Sequence, residues 1–262
     1  VDIIDKCILG TCPDILELLP SEFVDLTVTS PPYDNLRSYQ SVYNFEKTAA
    51  QLYRLTKPGG VLVWVVADST LSGSESLNSM KQAIFFKEGC GFRCHDTMIY
   101  VKANPMPMTH NRYEQAWEYM FVFSKGKPKT FNPIKEPITS PRKVQTDVHH
   151  KNNYQRGNKK RGHNTEKIIK NVWPYHVGFM HCTKDVEAYE HPAIFPEKLA
   201  EDHVLSWSNA GDMVLDPFCG SGTTCKMAAI HGRRYLGIDC SEEYLEIARR
   251  RVAVITASAT AT

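Results

Sequence analysis

The sequence predicts one large α/β domain on a doubly wound sheet, interrupted by an inserted basic region. Three observations predict it. Short β-rich runs alternate with helix-like runs over most of the 262 residues, the pattern of strands joined through helices. Val61-Leu62-Val63-Trp64-Val65-Val66 is continuously apolar, as a parallel strand covered on both faces must be. A strand-like Met213-Val214-Leu215 runs into Asp216 and then Gly220-Ser221-Gly222, the strand, loop and helix order found at the ligand crevice of open α/β sheets.

The elements follow in order. Ile3-Ile4 with Cys7-Ile8-Leu9 open the chain as its first apolar segment, Ile15–Leu19 is helix-like, and Val24–Val28 is β-rich. That strand ends at Ser30-Pro31-Pro32-Tyr33, because two prolines lack the donors a central strand needs. A helix through Thr48–Leu55 is stopped by Lys57-Pro58-Gly59-Gly60, a turn signal. The strand Val61–Val66 follows, then a polar loop from Asp68 to Asn78 and a helix over Lys81–Glu88. Strands are predicted at His95–Val101 and Glu118–Phe123, and a helix at Pro196–Ser206. The strand Met213–Leu215, a helix from Thr223 to His231, the strand Tyr235–Asp239 and a helix over Glu242–Val252 complete the domain. The small-residue tail 256–262 is expected to be disordered.

Composition bounds the class. Hydrophobic residues at 42% and charged residues at 23% suit a globular chain. No apolar run approaches the ~18 residues that span a bilayer. Val1–Lys6 has neither the basic nor the apolar region of a signal peptide, so a cytoplasmic protein is expected, with no membrane partner. The charge is uneven. Arg142–Lys170 carries nine Lys or Arg against two acids, a local +7 that leaves −5 for the remainder of a chain whose total is +2. A basic lobe on an acidic core suits a polyanion. Its candidate phosphate contacts are Arg142, Lys143, Lys151, Arg156, Lys159, Lys160 and Arg161. The eight cysteines include no C-x-x-C pair, so buried free thiols are expected and no metal site.

The late motif is a cofactor loop. In Asp216-Pro217-Phe218-Cys219-Gly220-Ser221-Gly222-Thr223-Thr224, the glycines Gly220 and Gly222 admit close approach of a ligand. Thr223 opens a helix whose first N–H groups are free donors. Asp239 ends the next strand, nineteen positions after Gly220, where a carboxylate accepts from ribose hydroxyls. The third glycine of a dinucleotide fingerprint is absent, and Asp216, Pro217 and Phe218 precede the glycines. A nucleoside carrying an amino acid, S-adenosylmethionine (SAM), fits better than NAD, because it has no pyrophosphate and brings an ammonium suited to a carboxylate near Asp216.

The early motif suits an exocyclic amino group. Such a nitrogen is a poor nucleophile because its lone pair is delocalised into the ring. Two acceptors for its N–H bonds draw it towards tetrahedral geometry. Ser30 Oγ and the Pro31 carbonyl are adjacent acceptors, Pro31 and Pro32 hold the backbone rigid, and Tyr33 is placed to stack on a base. No Pro-Cys dipeptide is present, so there is no sign of the covalent route of C5-cytosine enzymes.

These motifs, in this order, resemble the DNA amino-methyltransferases of the permuted β group, the N4-cytosine/N6-adenine family, in which the catalytic motif precedes the cofactor motif. Val28–Tyr33 resembles the family's catalytic region and Lys57-Pro58-Gly59-Gly60 its turn before a core strand. Tyr100-Val101-Lys102-Ala103-Asn104-Pro105-Met106-Pro107 resembles its target-base segment. His191-Pro192-Ala193-x-Phe195-Pro196 resembles the motif before the cofactor loop. The resemblance implies a Rossmann-like, SAM-dependent methyltransferase sheet with an inserted target-recognition region. It implies Phe195 near SAM. It departs at Gly10-Thr11, where the family commonly has Gly-Asp, leaving adenine to Thr11 or to Asp14. Ser30 in Thr29-Ser30-Pro31-Pro32 resembles the N4-cytosine form, whereas N6-adenine enzymes more often carry Asp or Asn there.

The expected division is 1–124 for the catalytic half, 125–190 for the recognition region, 191–255 for the SAM half and 256–262 for the tail. The expected partner is double-stranded DNA, with a homodimer and a cognate restriction nuclease left open. RNA or protein-glutamine methylation, with cofactor-first motif order, fits less well, and so does a non-catalytic DNA-binding module.

Overall fold

In the computed structural model, residues 3–32, 43–105, 111–138 and 165–259 are described, with side chains to residue 255. They divide into a main unit and a small one, Pro133–Lys170. The catalytic candidate Tyr33 lies outside the described residues, as do all seven candidate phosphate contacts, Arg142, Lys143, Lys151, Arg156, Lys159, Lys160 and Arg161.

The first half of the main unit holds β1 (Lys6–Leu9), α1 (Asp14–Leu18), β2 (Val24–Thr29), α2 (Phe45–Leu55) and β3 (Thr56–Val66). The hairpin β4 (Thr70–Leu71) and β5 (Ser74–Glu75) follows, then α3 (Asn78–Ile84), continued by a π turn over Phe85–Gly89. Next come β6 (Arg93–Lys102) and β7 (Trp117–Ser124). The small unit pairs β8 (Lys135–Pro137) with β9 (Glu166–Ile168) antiparallel, and Lys167 Nζ meets Glu136 Oε1 at 3.1 Å across them. The main unit resumes with β10 (Val172–Tyr175), α4 (Glu197–Trp207), β11 (Met213–Asp216), α5 (Thr223–Ile230), β12 (Arg234–Asp239) and α6 (Glu242–Ala259).

Eight strands form one sheet in the order β1-β12-β11-β2-β3-β7-β6-β10. All neighbouring pairs are parallel except those of β7, which runs antiparallel to β3 and β6. The predicted α/β class is the observed one. The sequence first climbs from β2 to β3, and much later from β11 to β12 in the opposite direction. The switch point therefore falls between β2 and β11, where open sheets place their ligands.

Both faces of the sheet are buried. Leu62, Trp64 and Val66 of β3 join Met213, Leu215, Leu236, Ile238, Phe121 and Phe123 in one core, under Leu16 of α1, Leu52 and Leu55 of α2, and Phe86. Val61, Val63 and Val65, alternating with these, are equally buried, on the face where α4, α5 and α6 pack together. That double burial is why β3 reads as an unbroken apolar run.

Boundaries differ from expectation where caps and tertiary pairing act. Asn44 caps α2, its side chain accepting from Lys47 N, so the helix starts ahead of Thr48. The turn expected at Lys57–Gly60 is a bulge within β3. The pairing jumps from Val24–Thr56 to Leu26–Val61, while the Gly59 and Lys125 amides donate to Lys125 and Gly60 carbonyls. Gly59 takes φ +81 there, a conformation that costs glycine nothing. The loop after Asp68 contains the β4–β5 hairpin, and α3 begins at Asn78, where Asp68 accepts from Ser79 N.

Candidate active site

The two chemical motifs leave the carboxyl ends of neighbouring strands. β2 and β11 pair through Leu26–Val214 and Thr27–Leu215. Beyond that, side chains continue the tie. Thr29 Oγ1 donates to Asp216 Oδ1 at 2.7 Å across 187 positions of sequence. Thr224 Oγ1 donates to the Val28 carbonyl at 3.1 Å.

Above this junction lies a cleft of about 470 Å³, within the range of small-molecule sites. Its wall includes Ser30, Pro31 and Pro32 from the end of β2, and Pro217, Phe218, Gly220 and Thr223 from the loop after β11. Thr11, Phe195 and Asp239 line it as well. Residues separated by almost the full chain thus meet in one cavity.

Two candidates stand behind the wall. Asp216 is 1% exposed and its Oδ1 also accepts from Phe218 N at 3.1 Å. Burial pushes its carboxyl up to about 7, against the hydrogen bonds that favour the charged form. The expectation that it offers a carboxylate directly to a ligand ammonium gives way to a buried anchor of the loop. Gly222 caps α5 with φ +78, and a Cβ there would sit 2.7 Å from the Ala248 Cβ, so this glycine admits α6.

Gly220 does face the cavity, and φ +46 excludes most side chains. A Cβ on it would lie 2.7 Å from His191 Nε2. Its amide donates to Asp239 Oδ2 at 2.9 Å, while Ser241 N donates to Oδ1 at 2.9 Å. Asp239 is therefore held rigidly at the lip of the cleft, and its pKa is raised by burial. Thr11 Oγ1 donates to Asp14 Oδ2 at 2.5 Å, so Thr11 lines the cleft with its hydroxyl proton held by Asp14, which stands outside the lining. The rear of the loop is braced by Arg251, which is 2% exposed. It donates to Ser221 O and pairs with Asp185 at 2.8 Å and Glu197 at 2.7 Å. Lys226 bridges the same two carboxylates, each at 2.7 Å.

With that geometry in hand, likeness to known proteins has something to explain. Residues 24–250 match the N6_N4_Mtase family, described as DNA methylase. The chain belongs to that family. M.BamHII of Bacillus amyloliquefaciens, an orphan methyltransferase, is 52% identical over 238 residues, covering 87% of this methylase and 88% of the relative. The PvuII DNA methyltransferase, described as cytosine-N4-specific, superposes with TM-score 0.70 at 20% identity, over 96% of this chain and 89% of its own. M1.HpyAVI, solved as a SAM complex, superposes with TM-score 0.62 at 23% identity, over 94% and 98%. At these identities both structures speak for the fold.

Several residues that line the methylase cleft were not among the candidate site residues, although His191 stands in a recognised motif. Tyr43 lines it and meets Phe218 edge-on at 4.9 Å. His191 lines it too, its Nδ1 accepting from Ala193 N at 3.1 Å and its ring lying 4.3 Å from Tyr244. Cys12 donates its Sγ proton to the Pro217 carbonyl at 3.0 Å, kept a thiol by burial and by the nearby carboxylates of Asp216 and Asp239. Cys240, Glu243 and Tyr244 follow Asp239 directly. The signal was positional. Cys12 follows β1 and Cys240 follows β12, both at carboxyl ends of strands on the β11 side of the switch point.

None of the eight cysteines is in a disulfide. Cys7, Cys12, Cys182, Cys219 and Cys225 are buried, whereas Cys94 and Cys240 are exposed and Cys90 is intermediate. Among the described residues no group of three or more His, Cys, Asp or Glu is arranged to hold a metal ion. Nor is any described helix long and apolar enough to cross a membrane.

Proposed function

We propose that this DNA methylase transfers a methyl group to the exocyclic amino group of a flipped base, N4 of cytosine. The observation that carries the reading is the single cleft shared by Ser30-Pro31-Pro32 and the Gly220 loop. When bound, SAM supplies an electrophilic methyl group. The cleft's size, the close-approach glycine and the carboxylate of Asp239 fit a nucleoside, and Asp239 accepts from its ribose hydroxyls. Thr11 and Phe195 border the same space. Asp216, Pro217, Gly222 and Thr223 shape the loop and the helix start beneath it.

Ser30 Oγ and the Pro31 carbonyl accept the two N–H bonds of the target, which frees the nitrogen lone pair. Pro32 keeps that turn stiff, and Tyr33 stacks on the base. A stacked base cannot enter a concave site, so the base leaves the duplex at a cost of a few kcal/mol. The hydroxyl at Ser30, rather than an acid or amide, favours cytosine; N6 of adenine is the second reading, since the family embraces both. The region 125–190 is read as the target-recognition part, with its basic residues on phosphates, and the protein as cytoplasmic. A homodimer and a partner nuclease are not required by this chemistry.

Incubation with radiolabelled SAM and duplex DNA, followed by nucleoside analysis, tests the proposal. Labelled N4-methylcytosine is expected. Labelled N6-methyladenine overturns the choice of base, and no label in DNA overturns the activity. Ser30→Ala is expected to keep SAM binding and lose turnover by about 10²–10³.

A further inference from the structure

We infer that Thr29 is a positioning residue, whose hydroxyl sets the distance between the base-gripping turn and the cofactor loop. The inference deepens the proposed function and rests on it. Thr29 is the residue before Ser30, and Asp216 is the residue before Pro217. The bond between them, 2.7 Å long, therefore joins the roots of the two loops that must present nitrogen and methyl carbon to each other. Thr29 is 0% exposed and Asp216 1%, so no water substitutes for either partner.

Among the described residues, few side chains span the two loop roots. Backbone pairing between β2 and β11 is recorded for Leu26–Val214 and Thr27–Leu215, ahead of both loops. Among the described residues the side-chain cross-links beyond it are the Thr29–Asp216 bond and the bond from Thr224 to the Val28 carbonyl, and Thr224 also hydrogen-bonds the Asp216 side chain from within the cofactor half. Asp216 Oδ1 accepts simultaneously from Phe218 N. One oxygen thus ties the turn at Pro217–Phe218 to the end of β2, just before Ser30. Methyl transfer demands a near-attack geometry, with reacting atoms about 3–3.5 Å apart and aligned, and a displacement of ~1 Å costs about 10²-fold. Loss of the tie should therefore slow the chemical step while each ligand still finds its own half of the cleft.

The test compares Thr29→Val, which keeps the shape and loses the hydroxyl, with Thr29→Ser, which keeps the hydroxyl. For each, kcat, KM for duplex DNA and the SAM Kd by calorimetry are measured. Thr29→Val is expected to lose kcat by about 30–100-fold, with SAM Kd and DNA KM within about threefold, and Thr29→Ser to stay within about threefold on all three. If Thr29→Val does not fold, Thr29→Ala against Thr29→Ser makes the same comparison of hydroxyl absent and present. A kcat unchanged without the hydroxyl overturns the inference. So does an equal loss in Thr29→Ser, or a weakening of SAM binding as large as the loss of kcat. An inactive parent enzyme overturns the proposed function and this inference together, whereas an active parent with an equally active Thr29→Val overturns only the inference.

Discussion

Replacing Gly220 with Ala tests the steric design of the cleft most directly. Two costs add. A residue with a Cβ at φ +46 pays about 1–2 kcal/mol for the left-handed conformation. The new methyl would lie 2.7 Å from His191 Nε2 and 3.0 Å from Cε1, so ring or loop must move by several tenths of an ångström. The ring is anchored by the Ala193 amide and by Tyr244. Giving up part of that hydrogen bond and aromatic contact costs about 1–2 kcal/mol more. The sum, about 2–4 kcal/mol, should lower Tm by roughly 10 °C, and SAM binding should weaken more than about tenfold.

Gly211→Ala is the matched control. It has φ +85 and nothing within 4 Å of an added Cβ, so it pays the backbone cost alone. His191→Ala in the Gly220→Ala background should return the contact cost, a coupling of about 1–2 kcal/mol in a double-mutant cycle. Thermal unfolding and calorimetry with SAM read both quantities. If Gly220→Ala behaves like Gly211→Ala in stability and the cycle shows no coupling, the contact with His191 does not constrain the loop.

Asp216 titrates in a window that gives stability a definite sign. Its pKa is raised from 3.8 to about 7, so the folded state holds the proton more tightly between those values, and this group's contribution is lost as pH rises towards 7. The Tm of Asp216→Asn relative to the parent should therefore climb between pH 5 and pH 8, by an amount on the order of a few kcal/mol in stability; a gap independent of pH would refute it. Arg251→Met leaves Asp185 and Glu197 with Lys226 as their only cation among the described residues and should cost about 3–5 kcal/mol, seen as a Tm lowered by roughly 10 °C or more; an unchanged Tm would show that the network contributes nothing net. Cys240 is exposed and lines the cleft. SAM should protect it from alkylation, read by peptide mass mapping, while exposed Cys94 stays equally reactive; equal labelling of Cys240 with and without SAM would place the cofactor elsewhere.

The fold class was legible in the sequence because parallel strands covered on both faces must be apolar throughout, and Val61–Val66 and Met213–Leu215 are. The chemical motifs were legible for a related reason. A proline pair cannot lie in a central strand, and a glycine pair after a strand marks a close approach, so both fall at strand ends whatever surrounds them. Local pattern was weaker where one partner is distant. Lys57–Gly60 reads as a turn, yet Gly59 and Gly60 pair with Lys125 and the segment is a bulge in β3. Asp216 reads as a ligand-facing acid, yet Thr29 and the Phe218 amide claim it from behind the wall. Nothing in the neighbourhood of His191 announces that its ring needs a residue without a side chain at position 220. Periodicity and backbone chemistry act over a few residues, and the sequence by itself determines what depends on them: elements, strand ends and the two motifs. Which side chains share a cavity depends on strand order, and β2 lies beside β11 only because packing brings together segments 187 positions apart. That adjacency, with the hydrogen bonds made across it, was decided by the tertiary structure alone.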